Sequence, residues 1–173
     1  MQRHELVHEI HCPSARMWEL FFDDKFNVQM YCEGLRFPKC ETVEKIERGG
    51  VLHRRMVMTP KVEVPKPLAK VFGDRIGFEE IGDWERSADP GKAVYRWQII
   101  LAALGDKVRI TGTMRLIDIA EGHCSRRTEF EVESKVFGIG GMLEKTSADN
   151  VIAGWNGSAK WINSWLAEQT TAG

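Results

Sequence analysis

A long series of alternating, strand-like segments breaks at Gly138-Ile139-Gly140-Gly141, and from there one long helix is expected to about Glu168. That helix carries Trp155, Trp161 and Trp165, three of the six tryptophans in the chain. At about 100° per residue, Val151, Trp155, Ala159, Ile162 and Leu166 gather on one side, flanked by Trp161 and Trp165. Lys145, Asp149, Asn156, Lys160 and Asn163 fall on the other. A helix of this kind, arriving after antiparallel strands, must lay its apolar face across their sheet. Where the sheet curves, a pocket can form between the two.

The upstream pattern supports such a sheet. Residues 3–11 alternate, Leu6, His8 and Ile10 against Val7 and Glu9, as a strand does. Cys12-Pro13 stops it, and Pro13 suits the first position of a helix over 14–23, with Met17, Trp18, Phe21 and Phe22 on one face. A second short helix is expected over 25–32, closed by Gly34. Strands follow at 37–47, 51–59, 76–86, 92–103, 108–120 and 124–136. The breaks between them are turn sequences: Gly49-Gly50, Asp89-Pro90-Gly91, Gly105-Asp106 and Glu121-Gly122. Such short connections imply an antiparallel meander. Met114 and Leu116 oppose Thr113 and Arg115, while Phe130 and Val132 oppose Glu129, Glu131 and Glu133, so one sheet face is wet and the other buried. The stretch 60–73, with Pro60, Pro65 and Pro67, is longer than a hairpin needs. A helical turn opening at Pro67, with Leu68, Val71 and Phe72 apolar, makes it a candidate lid.

Composition narrows the function classes. A length of 173 residues fits one domain, and 43% hydrophobic content supports an ordinary core. The formal charge is −1, with both signs interleaved, so the basic footprint of a nucleic-acid binder is lacking. No apolar stretch approaches the roughly 18 residues of a membrane span, so no integral membrane association is expected. The start, Met1-Gln2-Arg3-His4-Glu5, has no hydrophobic signal region, and a cytoplasmic location is the expectation. Cys12, Cys32, Cys40 and Cys124 match no zinc or redox spacing and are expected as free thiols.

Two motifs dissolve on inspection. His4-Glu5-Leu6-Val7-His8 is literally H-E-x-x-H, which on a helix binds zinc. On a strand, however, His4 and His8 stand about 13 Å apart, too far for one metal. The glycines at 138–141 resemble a phosphate loop, but no Lys-Ser or Lys-Thr follows, and their use is to turn the chain from strand into helix. No catalytic set, metal site or cofactor is expected from spacing. More informative are polar residues on buried faces. Arg54 shares a strand phase with Leu52, Met56 and Met58; Glu80 shares one with Ile76 and Phe78; Glu144 lies near the apolar arc of the last helix. Unpaired buried charge costs several kcal/mol, so each must pair, meet water or meet a ligand.

The order strand, two short helices, six strands and long helix resembles the helix-grip fold of the START, polyketide-cyclase and birch-pollen-allergen-like (SRPBCC) superfamily. Three stretches carry the likeness. Cys12-Pro13-Ser14-Ala15-Arg16-Met17-Trp18-Glu19-Leu20-Phe21-Phe22-Asp23 is similar to the helix after the first strand, and Gly112-Thr113-Met114-Arg115-Leu116 to a strand motif of the superfamily. Val136-Phe137-Gly138-Ile139-Gly140-Gly141-Met142-Leu143-Glu144-Lys145 resembles the junction into the last helix, particularly in an uncharacterised bacterial family within it. The resemblance implies an α+β fold: a curved antiparallel sheet of about seven strands, gripped by the C-terminal helix. It further implies a cavity for a small hydrophobic molecule such as a lipid, sterol-like or polyketide-like ligand. Alternatives are a cyclase or dehydratase acting through an inward acid–base pair, and a co-chaperone-like module with a filled core. Strand phase aims Met56, Phe78, Tyr95 and Trp97 inward, with Met114, Leu116, Phe130 and Val132 beside them and Trp155 opposite. Arg54, Glu80 and Glu144 are candidates to select a polar group, and access is expected near 60–73 and the glycines at 138–141.

Overall fold

The computed structural model describes residues 1–172. Strand β1 (Gln2–Ile10) leads into helix α1 (Ser14–Phe21) and helix α2 (Asp24–Val28), which continues as a π-helical turn, Gln29–Gly34. Strands β2 (Lys39–Arg48) and β3 (Val51–Thr59) follow, then helix α3 (Lys66–Phe72). Strands β4 (Phe78–Glu85), β5 (Val94–Leu101), β6 (Gly105–Ala120) and β7 (His123–Ser134) precede helix α4 (Gly140–Ala172).

All seven strands form one antiparallel sheet in the order β1-β7-β6-β5-β4-β3-β2. Only β1 lies out of chain order. It pairs with β7, from Gln2 opposite Val132 to Ile10 opposite Cys124, so α1 and α2 must carry the chain from one sheet edge to the other. The rest is the meander that the turn sequences imply. Alternation survives in the packing: on β7, Cys124, Arg126, Thr128, Phe130 and Val132 are buried, while Arg127 and Glu129 are exposed.

Helix α1 buries Met17, Trp18, Leu20 and Phe21, and Trp18 stacks on Phe22 and Trp84. Asp118 on β6 accepts from the backbone N–H of Ser14 at 2.7 Å, giving the helix an N-terminal partner that Pro13 lacks the side-chain chemistry to supply. Helix α3 begins at Lys66, with Pro67 in its first turn and Leu68 fully buried.

One local expectation needs correction. Gly34 does not close the second helix through a left-handed conformation; the residue with positive φ is Arg36, at 62°. Gly34 instead lets α4 approach, since a Cβ there would lie 2.6 Å from the Trp161 ring. Asn156 and Asn163, on the polar side of α4, make contacts with β1. Asn156 Oδ1 accepts from His8 Nε2 at 2.7 Å, and Asn163 accepts from the His11 N–H and donates to the Glu9 carbonyl, both at 2.9 Å. These amides dock α4 along the edge strand β1. All four cysteines are free thiols, and among the described residues no helix is long and apolar enough to cross a membrane.

Candidate functional site

Between the sheet's inner face, α1, α2 and α4 lies a cavity of about 540 Å³. From the sheet it is lined by Met58, Phe78, Glu80, Ile99, Leu101, Ile110 and Arg126. Met17, Phe21, Phe26, Met30 and Tyr31 line it from the helices after β1, and Thr146, Ser147, Val151, Gly154, Trp155, Ser158 and Ile162 from α4. Residues 60–64 cross its mouth, with Lys61 and Glu63 exposed on one side and Asn150 and Ala153 on the other. The glycines at 138–141 do not border it. A wider hollow of about 850 Å³ lies on the sheet's outer face. It is an open saddle among Arg3, Glu5, Asp83 and Arg96 and encloses nothing.

Two polar groups stand in the cavity wall. The first is centred on Glu80, whose Oε1 accepts from Arg54 Nη2 at 2.9 Å and from the Tyr95 hydroxyl at 2.8 Å. Arg54 also donates to the Phe21 carbonyl, and its guanidinium lies 4.4 Å from the Phe21 ring centroid. Side-chain exposure is 1% for Arg54 and 8% for Glu80, so this pair is dry and its opposite charges meet directly, although Arg54 Nε has no acceptor. Burial, followed by the charge of Glu80, holds the Tyr95 phenol well above its ordinary pKa, and the same two causes raise Tyr31.

The second is Arg126, 1% exposed. Its Nη2 donates to the Trp155 carbonyl at 2.8 Å and to Ser158 Oγ at 3.0 Å, and lies 3.5 Å from His8 Nδ1. The guanidinium sits 4.7 Å from the Trp155 ring centroid. Burial pulls its pKa down to about 10, and no carboxylate lies within salt-bridge distance among the described residues.

Of the residues singled out by sequence, Phe78, Glu80 and Trp155 line the cavity. Arg54 and Tyr95 stand behind Glu80 and hold it. Met56 packs with Met58 and Cys40 beside the cavity, under Tyr31 and Phe78; its strand-mate Met58 lines it. Trp97 packs against Trp155 and Phe130, with ring centroids 6.0 and 6.1 Å apart, and Met114, Leu116 and Val132 are fully buried in the core. Glu144 is elsewhere. It accepts from the Ser134 N–H at 2.9 Å and from the Met1 amine at 3.0 Å, contacts that lower its pKa in that order. Sequence reasoning missed Arg126 and Tyr31. The signal for Arg126 was present: counting back by two from Phe130 through Thr128 reaches it on the buried phase.

Glycine shapes the inner wall at two points. A Cβ at Gly82 would lie 2.2 Å from the Tyr95 ring, and one at Gly112 2.4 Å from the Trp97 ring. Both aromatic rings lie flat over bare backbone. As for metals, His4 and His8 are separated along β1, as the strand geometry requires. A different trio, Glu9, His11 and His123, brings three ligand atoms within 4.8 Å of one another. It sits at the water-exposed edge, away from the cavity.

A curved sheet, a long helix gripping its inner face and a cavity between them define an α+β protein of the helix-grip type. Residues 5–166 match the family described as "Protein of unknown function (DUF2505)", and the chain belongs to that family. No functionally curated protein matches its sequence. Among solved structures it is similar to a START superfamily protein from Mycobacterium smegmatis, with a TM-score of 0.60 at 11% identity, covering 95% of this chain and 98% of that one. The Zhui aromatase/cyclase from a Streptomyces species gives 0.59 at 15% identity, covering 93% of each chain. Norcoclaurine synthase from Thalictrum flavum, in complex with dopamine and hydroxybenzaldehyde, gives 0.60 at 15%, covering 96% of this chain and 87% of that one. At these identities the likeness is one of fold.

Proposed function

We propose that the chain binds a small hydrophobic molecule in the cavity beneath α4. The observation that carries this reading is the cavity itself: about 540 Å³, mostly apolar, with a few converging polar groups, inside the size range of small-molecule sites. Such a volume is not filler, because protein interiors are otherwise packed with few voids larger than a water. The presence of small organic ligands in the norcoclaurine synthase complex is consistent with the same use of this fold. A cyclase-type reaction is the weaker reading, since the one buried carboxylate in the wall, Glu80, already accepts from Arg54 and Tyr95. A filled-core interaction module fits worse still, because the core is not filled.

Gly154 provides the test. It lines the cavity, and a Cβ built on it meets nothing within 4 Å, so Gly154→Leu adds apolar bulk at the cavity border from a position with open space around its Cβ. The wild-type protein should bind the uncharged dye Nile red saturably at one site, and the variant should bind it about tenfold more weakly, the loss of roughly 1.4 kcal/mol of apolar contact. Native mass spectrometry should also find co-purified small molecules in the wild type. No saturable dye binding, together with a ligand-free mass, would remove the proposal.

A further inference from the structure

The buried charges do not balance, and the imbalance describes the ligand. Among the described residues the buried ionised side chains are Arg54, Glu80 and Arg126. Arg54 and Glu80 neutralise one another at 2.9 Å. Arg126 is left as a single positive charge in the wall of an apolar cavity. The groups that influence its protonation most after burial are Tyr31 and Cys124, both neutral. Its compensation is partial: Nη2 donates to the Trp155 carbonyl and Ser158 Oγ, and the Trp155 ring offers a π face. Nε is enclosed with no acceptor, and among the described residues Nη1 donates to nothing.

A buried cation without a counter-ion is strongly unfavourable, and neither strand geometry nor packing requires an arginine here. Leucine, methionine or valine would fill an inward position on β7 at lower cost. What arginine alone supplies is a planar donor array that stays charged at neutral pH and matches an oxyanion. Resting on the reading that the cavity is the ligand site, we propose that its ligand is an amphiphile with a monoanionic carboxylate head, which pairs with Arg126 while its apolar body lies between the sheet and α4. One unbalanced charge calls for a monoanion. A dianionic phosphate would leave one negative charge uncompensated in the same apolar cavity. Tyr31 also lines the cavity, and its hydroxyl is a candidate further donor to the head group.

Dodecanoate and dodecanol serve as a matched probe pair, differing in the head group alone. Wild-type protein titrated with each, followed by calorimetry, should bind the acid at least about tenfold tighter than the alcohol, the minimum expected of a charge-assisted hydrogen bond. In Arg126→Met the preference should collapse to near equality, with alcohol binding retained. A second measurement needs no variant: dodecanoate labelled with ¹³C at the carboxyl and bound to wild type should titrate below its free pKa. Equal binding of acid and alcohol to wild type, or a bound carboxyl titrating at or above its free value, overturns the proposal and leaves the cavity reading intact. Failure of both probes to bind overturns both.

Discussion

Arg54 and Glu80 show how a charged residue can be part of a core. Each lies on the buried phase of its strand, and they face one another across β3 and β4, where Met56 pairs with Glu80 and Arg54 with Gly82. Gly82 leaves the space through which Tyr95 reaches Glu80. Removing one partner abandons the other in a dry wall, so Arg54→Met should cost about 3–5 kcal/mol. The double change Arg54→Met with Glu80→Gln should recover a good part of that, as urea unfolding of the four proteins in the cycle would show. A double variant that loses the sum of the two single losses would mean that the pair is not coupled. Gly112 is constrained more rigidly, because a Cβ there would also lie 2.6 Å from the Glu129 carbonyl oxygen, which is held in the β6–β7 ladder. Gly112→Ala should therefore destabilise by about 1–3 kcal/mol, although the same change at an ordinary strand glycine is favourable. Strand phase made Arg54 and Glu80 legible from sequence. Arg126 obeys the same rule and was passed over, because alternation marks which face a residue takes but says nothing of why a charge would be there.

At the scale of elements, α4 is held at three places by different chemistry. Its start is tied by Glu144 to Ser134 and the chain's first amine. Its middle is docked by amides on β1, and its far half packs Trp161 and Trp165 against Phe26 and the Gly34 turn. The tryptophans and the helix itself were readable from the sequence as an amphipathic pattern. The amide contacts were not, since an asparagine satisfied by a strand edge and one satisfied by water look alike on a helical wheel. The central tie has a pH signature. His8 donates from Nε2 to Asn156, which leaves Nδ1 unprotonated toward Arg126. Burial, and less strongly the charge of Arg126, lower its pKa below 6.5 despite the Asn156 contact. A folded-state pKa below the unfolded one means that the unfolded chain binds the proton more readily. Stability from this site is therefore present above pH 6.5 and is lost as pH falls below it toward the folded value. Thermal melts should show Tm declining over that range, with a shallower decline in His8→Gln. A His8→Gln profile parallel to wild type would assign the acid sensitivity to other groups.

Taken as a whole, the molecule keeps a hollow that its own packing rules disfavour, and it does so with two economies. The first is Gly154. Glycine within a helix costs about 1 kcal/mol relative to alanine, and Gly157 has a packing reason for it, since a Cβ there would come within 2.8 Å of Leu35. Gly154 has no such neighbour and borders the cavity, so packing gives no reason for the helix to carry a glycine there. The second is the mouth. Among the described residues the backbone N–H groups of 61–64 donate to no protein acceptor, whereas α3 just beyond is anchored by fully buried Leu68. A segment without backbone hydrogen bonds, hinged on an anchored helix, belongs to the low-stability end of a fold. Its amides should exchange with deuterium within seconds in the ligand-free protein, while those of α4 near Ile162 persist. Occupying the cavity with dodecanoate gives Val62 and Val64 an apolar surface to close on, so exchange at 61–64 should slow while other exposed loops, such as the Gly49-Gly50 turn, stay unchanged. Binding that leaves 61–64 as fast as before would show that the ligand reaches the cavity by another route, and that these residues do not act as its lid.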